Sequence, residues 1–121
     1  MRVSGISWAG VATANLEQTI RFFAETLRLP LVYRDDDEGV TVFRLPAGDS
    51  FEVFAPNSRW HQYRACPVFG FEVDDVRAAR KEMEDGGVEF VTDITEMEDG
   101  AAWTYFRGPD GVLYELQRPA G

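Results

Sequence analysis

The chain has 121 residues, 45% hydrophobic and 13% aromatic, enough for one compact domain with a buried core and too few for two independent ones. Twelve Lys and Arg stand against 21 Asp and Glu, a formal net charge of -9, so the surface field repels phosphate backbones and anionic headgroups and argues against nucleic-acid and membrane partners. The lone cysteine, Cys66, has no intrachain disulfide partner; no basic start leads into an apolar signal core and no apolar run spans a membrane, so a cytoplasmic setting is expected.

In chain order, "VSGISWAGVAT" has strand composition. Asn15 then stands where a helix cap is needed, Gln18 is placed as its capping-box partner, and Leu16, Ile20, Phe23 and Leu27 recur at the spacing of one apolar helix face. Pro30 stops the helix. "LVYRD", "GVTVFRL" and "SFEVFA" read as three strands separated by an Asp/Gly turn and a Pro/Gly turn. The segment "PNSRWHQYRA" reads as a linker; its Trp60, His61 and Tyr63 suit a rim or lid as well as an aromatic hinge, and Cys66 beyond them reads as a small buried hydrophobe.

The second half repeats this grammar. "PVFGFEV" is a strand, Asp75 caps a helix that turns Val76, Ala79 and Met83 inward, and Gly86-Gly87 ends it. "VEFV", "AAWTYFRG" and "VLYELQR" complete three strands, with Pro109-Asp110-Gly111 as the last turn. Aligning residue 11 with residue 71 superimposes the two halves, and "FRLPAGDSFEV" reappears as "FRGPDGVLYEL". The expected architecture is α+β: two tandem βαβββ modules, about 1–56 and 67–121 around a linker at 57–66, within a single domain. Arg44 and Arg107 recur with the motif and read as turn-flanking residues or partners for surplus acid.

Strand side chains alternate, so Phe51 and Val53 point one way and Glu52 the other, as Glu115 opposes Tyr114 and Leu116. Either glutamate alone would be read as facing solvent. Their recurrence at equivalent positions points instead to a shared cavity on the faces away from the helices. Trp103 and Tyr105 share one strand face and fit either that cavity or packing.

The double strand-helix-three-strand plan, the "DDV" helix entry after "FEV" and above all the ending "GPDGVLYELQRP" resemble the vicinal oxygen chelate superfamily, which includes glyoxalase I, bleomycin-resistance proteins and extradiol dioxygenases. The resemblance covers essentially the whole chain. It implies a cupped mixed sheet with helices on its outer side, a homodimer, and a ligand in the cup. Metal-dependent members place ligands on the first and last strand of each module; here those positions are Trp8 and Val68, then Glu52 and Glu115. Neither Trp8 nor Val68 can coordinate a divalent ion.

An iron dioxygenase site needs two histidines and a carboxylate, and the chain owns only His61, in the linker. A zinc or nickel site would have to hold its ion with two glutamates plus water, fewer protein ligands than the usual catalytic set. Mg2+ or Mn2+ on Glu52 and Glu115 with water is the metal arrangement left open. The expected function is therefore metal-independent binding of a small molecule, of the bleomycin-resistance type, sequestering a drug or metabolite. No cofactor is expected, a cationic ligand suits the acidic chain and the Trp8 indole, and Trp8, Glu52, Val68, Trp103, Tyr105 and Glu115 are the expected ligand-binding residues. The alternatives are a divalent-metal-dependent lyase or isomerase with a reduced two-glutamate site, and a duplicated fold kept as an interaction module. No catalytic residue is assigned.

Overall fold

A computed structural model describes residues 1–63, 66–109 and 111–121. Among these residues the order is β1 (Gly5–Ala12), α1 (Leu16–Arg21) running into a π-helical turn (Phe22–Thr26), β2 (Leu31–Asp35), β3 (Val40–Arg44) and β4 (Ser50–Phe54). A 3-10 turn (His61–Tyr63) leads to β5 (Val68–Glu72), α2 (Val76–Asp85), the short β6 (Glu89–Phe90) and β7 (Thr95–Glu96), then β8 (Ala102–Arg107) and β9 (Leu113–Arg118). The class is α+β with mixed pairing, as the alternating patterns indicate. Two compact units form: Ser7–Val68, and Met1–Ile6 together with Phe69–Gly121.

In the Ser7–Val68 unit, β1 runs parallel to β4, and β3 lies antiparallel to both β4 and β2. The β3 and β4 side chains Phe43 and Val53 are fully buried against Ile20 of α1, with Leu16, Phe23 and Phe51 around them. Phe23 meets Phe51 edge-on at 4.7 Å between ring centroids. The helix does not follow a simple heptad-like face to its end. Leu27 N–H bonds back to the Phe22 carbonyl, a wider turn than an α-helix makes, and Arg28 then takes a left-handed φ of 57°. Leu27, expected in the core, is consequently rotated into solvent and Leu29 packs inward in its place.

The start of α1 also differs from expectation. Asn15 occupies the cap position but its side chain caps nothing. A hydroxyl chain serves instead: Thr19 Oγ1 donates to the Asn15 carbonyl (2.8 Å), Thr13 Oγ1 lies 2.8 Å from Thr19 Oγ1, and Thr13 Oγ1 accepts the Asn15 N–H (3.0 Å). Gln18 therefore has no capping box to complete. Arg34 of β2 bonds both Glu17 and Asp36, tying the helix to the β2–β3 hairpin, and these carboxylates raise its already high pKa.

In the other unit, β5 runs parallel to β9, and β8 lies antiparallel to β9, β6 and β7. Met1–Ile6 joins this unit through Ser4, whose N–H donates to the Glu72 carbonyl at 3.0 Å. Val76 and Ala79 of α2 are buried on Val73 and Leu116, with Met83, Phe71 and Phe106 alongside, as the apolar spacing indicates. The Asp75 carboxylate accepts the Ala78 N–H at 3.0 Å, a true side-chain cap. At the other end Gly87 N–H bonds the Glu84 carbonyl and Val88 N–H bonds the Met83 carbonyl, a Schellman motif whose φ of 92° at Gly87 suits glycine.

Arg80, half-buried, donates through Nη1 to the Thr92 carbonyl (2.6 Å) and Thr104 Oγ1 (3.0 Å) and lies over the Phe90 ring, fastening α2 to β8. Arg107 both donates to the Gly111 carbonyl (2.9 Å) and approaches Glu89 (3.9 Å). The last turn closes with Gly111 N–H on the Gly108 carbonyl; Asp110 lies outside the described residues, as do Arg64 and Ala65 of the linker. Cys66, expected as a small buried hydrophobe, is exposed, because it sits in the surface connection before β5 rather than on a strand face. Among the described residues no helix is long and apolar enough to cross a membrane.

The contrast between the helix starts gives a direct check. Asp75→Ala should destabilise the fold by about 1 kcal/mol in urea denaturation, and Asn15→Ala by less than about half of that.

Candidate functional site

The pairing registers show that the sequence repeat is a structural one. Gly10 of β1 is opposite Glu52 of β4, which is opposite Val42 of β3; likewise Gly70 of β5 is opposite Glu115 of β9, which is opposite Tyr105 of β8. A second row follows the same rule: Ala12, Phe54 and Val40 in the first module, Glu72, Gln117 and Trp103 in the second. Register partners project to the same side of a sheet. Since Phe51, Val53, Phe71 and Leu116 pack toward the helices, both rows of each module occupy the opposite, inner face.

In the first module the inner face is organised by Trp8. Its indole is buried (7% exposed), its Nε1–H donates to the Glu52 carboxylate, and its ring is tilted against Phe54 at 6.4 Å. Gly10 makes this possible: a Cβ there would lie 2.7 Å from indole Cζ2 and 3.1 Å from Phe54 Cε2. The lack of a side chain two residues after Trp8 is thus what lets the ring lie back across its own strand and reach the carboxylate. A hydrogen bond to a charged acceptor contributes about 1.5–3 kcal/mol. Glu52 is half-buried, and Val42 and Phe54 flank it on the same face.

In the second module Val68 takes the place of Trp8 and is buried at 1% exposure. Glu115, Tyr105 and Gln117 are buried at 4%, 1% and 7% exposure, whereas Trp103 and Glu72 are half-buried. Tyr105 is held from behind, its backbone N–H donating to Thr92 Oγ1 (3.1 Å) and its carbonyl accepting Val91 N–H (2.9 Å). The structure brings Trp8 together with Glu52, and Tyr105 and Trp103 with Glu115, as face neighbours within their own units. Gln117 and Glu72 share the second face and were not among the residues expected from sequence. The signal was present: each lies two positions from an inner-face residue on the same strand.

Trp60 and Tyr63 of the linker contact one another at 6.0 Å, and Arg59 lies over the Trp60 ring at 4.6 Å, while His61 opens the 3-10 turn. Ser58, buried, accepts the Trp60 N–H and fixes the start of this turn.

A metal centre of the kind the family resemblance implies does not fit these residues. Trp8 and Val68 bring no donor atom, and Trp8 presents a hydrogen, the wrong polarity for a cation, to the very carboxylate that would be a ligand. Among the described residues no group of three or more His, Cys, Asp or Glu could hold an ion.

The Trp8 arrangement makes two substitutions informative. Trp8→Phe keeps an aromatic ring but removes the donor, and should cost about 1–3 kcal/mol in urea denaturation. Gly10→Ala forces the ring off its strand, with a cost of about 1–3 kcal/mol and a displaced Trp8 indole N–H resonance in proton NMR.

Comparison with known proteins agrees with this geometry at the level of fold. No curated protein matches the chain. Methylmalonyl-CoA epimerase from Mycobacterium tuberculosis is similar with a TM-score of 0.77 and 24% identity, over 98% of this chain and 90% of that one. Streptomyces coelicolor methylmalonyl-CoA epimerase, solved in complex with 2-nitronate-propionyl-CoA, has a TM-score of 0.74 and 21% identity over 99% and 100%. A glyoxalase/bleomycin resistance protein/dioxygenase superfamily member from Vibrio splendidus 12B01 has a TM-score of 0.70 and 13% identity over 92% and 96%. The family model for the Glyoxalase/Bleomycin resistance protein/Dioxygenase superfamily matches residues 5–116, and the chain belongs to that superfamily.

Proposed function

We propose that this protein binds a small organic molecule without a metal and acts in sequestration, in the manner of the bleomycin-resistance branch of its superfamily. The observation that carries this reading is the Trp8 indole N–H on the Glu52 carboxylate. A buried donor there neutralises part of the carboxylate's demand for a partner, which is the task an ion would otherwise perform. Val68 supports the reading from the equivalent position of the second module, because a buried aliphatic side chain leaves no donor to complete a coordination shell. The ligand would lie against the inner strand faces, with Trp8, Glu52, Val68, Trp103, Tyr105 and Glu115 as its contacts, in the protein acting as a homodimer.

A second reading is favoured by the likeness to the epimerases: a divalent-metal-dependent lyase or isomerase that holds Mg2+ or Mn2+ on Glu52 and Glu115. It requires the Trp8–Glu52 hydrogen bond to open. Elemental analysis of protein purified without chelator separates the two. We expect no stoichiometric divalent metal and a thermal midpoint that moves by less than about 1 °C on adding Mg2+, Mn2+, Ni2+ or Zn2+, since a ligand that binds only the native state raises it. One equivalent of metal, lost in the Glu52→Ala, Glu115→Ala double variant, would establish the second reading instead.

A further inference from the structure

Single exposed apolar side chains are ordinary on a protein surface, whereas a concentration of them is informative. Among the described residues, half of the exposed large apolar side chains, Phe22, Leu27, Leu31, Val32 and Tyr33, fall between residues 22 and 33. They gather on one border of the Ser7–Val68 unit. There β2 has β3 on one side and, among the described residues, no strand on the other, so its outer backbone edge is open. Leu31 is opposite Phe43 and so faces the helix side, where Phe22 and Leu27 are turned outward by the π-helical turn. Tyr33, opposite Val42, faces the other side of the sheet. Val32 is the extra residue of the bulge between Leu31 and Tyr33 and stands at the edge itself.

The charges at the two ends of this apolar edge indicate what covers it. Arg28, at the entry to β2, is exposed and makes no ion pair among the described residues. Asp37 and Glu38, in the hairpin turn at the exit, are exposed and likewise make none. A cation and two carboxylates thus stand at opposite ends of one open strand. Two copies laid side by side in the same direction would set acidic turn against acidic turn, which Coulomb repulsion disfavours. Laid antiparallel about a two-fold axis near Tyr33, they set Arg28 of each copy against Glu38 of the other, because residues 28 and 38 are equally distant from 33 along the chain. The apolar edges then meet between the two charge pairs. We infer that this border is a self-complementary contact surface and that its occupant is a second copy of the chain in that two-fold arrangement. A two-fold contact consumes the open edge in one closed step, so the strand does not template a fibre. The bulge at Val32 interrupts the ladder, so side-chain packing rather than a long run of backbone bonds holds the contact. This inference rests on the homodimer of the proposed function and names the surface that forms it.

Sedimentation equilibrium of the full chain over a range of concentrations reads the association. The parent should form dimers and no higher species, with a dissociation constant on the order of 10 μM. Val32→Lys, which puts a cation on the open edge, should weaken the dimer at least about tenfold. Met97→Lys, a change at a similarly exposed side chain of the other unit, should alter it by less than about twofold. Urea midpoints measured below the dissociation constant and unchanged in both variants verify the fold. Arg28→Glu and Glu38→Arg should each weaken the homodimer about tenfold, because each sets like charges together at both ends of the contact. Mixed in equal amounts, these two variants should recover the parent affinity, since their heterodimer again pairs opposite charges at both ends. The inference is overturned by a chain that stays monomeric up to about 1 mM, which leaves the border to a different partner. It is equally overturned by a dimer indifferent to Val32→Lys, or by a mixture of Arg28→Glu and Glu38→Arg that associates no better than either alone. Monomeric protein removes the homodimer of the proposed function as well, whereas a dimer indifferent to these substitutions removes this surface alone.

Discussion

A single hydrogen bond, from the Trp8 indole to the Glu52 carboxylate, sets the conditions that the rest of the first module obeys. It is made between two strands that run parallel, β1 and β4, and it needs the ring to lie back over residue 10. Any side chain at that position would displace it, so a glycine is required by the packing of its neighbours as much as by the backbone. The ring in turn packs against Phe54, and a donor bond made where water is partly excluded is stronger than one in water. Affinity for a cation at Glu52 must therefore compete with an intramolecular partner that is already positioned and has little entropy left to lose.

Much of this was legible in the sequence, because the repeat supplies two readings of each element. The strands at 31–35 and the cap at Asp75 follow directly from local pattern, and the glutamates could be placed on the faces away from the helices by alternation alone. What escaped had nonlocal causes. Asn15 is a good capping residue by type, yet Thr13 and Thr19 reach the same helix start with their hydroxyls. Leu27 has the right spacing for an α-helix, and the π-helical turn before it changes the angle per residue. That Trp8 donates to Glu52 depends on two residues far apart in sequence being paired across parallel strands, which no local period reports. Gln117 and Glu72 do not recur between the copies, where Phe54 and Ala12 stand at the equivalent positions, so the repeated motif does not mark them.

The duplication also explains why the two faces of each sheet evolved under different rules. Helix-facing residues must fill a fixed space at near-crystalline density, and the two modules keep the same residue at Phe43 and Phe106 and at Thr41 and Thr104, and a similar one at Val53 and Leu116. Thr104 even carries a structural duty, accepting from Arg80 while donating to the Thr92 carbonyl. Because side chains alternate, a substitution on the inner face leaves this packing untouched. A duplicated sheet can therefore diverge in chemistry on one side at little cost in stability on the other.

That separation bears on how far similarity to known structures extends. The epimerase solved with 2-nitronate-propionyl-CoA shares the fold, which is a property of the helix-facing packing and the ladders. Ligand choice belongs to the inner faces, where 21% identity leaves most positions free to differ. Here those positions present carboxylates at Glu52, Glu115 and Glu72, with no lysine or arginine among the two rows of either module. Arg44 and Arg107 stand one row further along the same faces, so positive and negative groups are both presented there. Common topology is thus compatible with different chemistry on the inner faces, because the side chains that make the fold and those that would meet a ligand lie on opposite sides of the same strands.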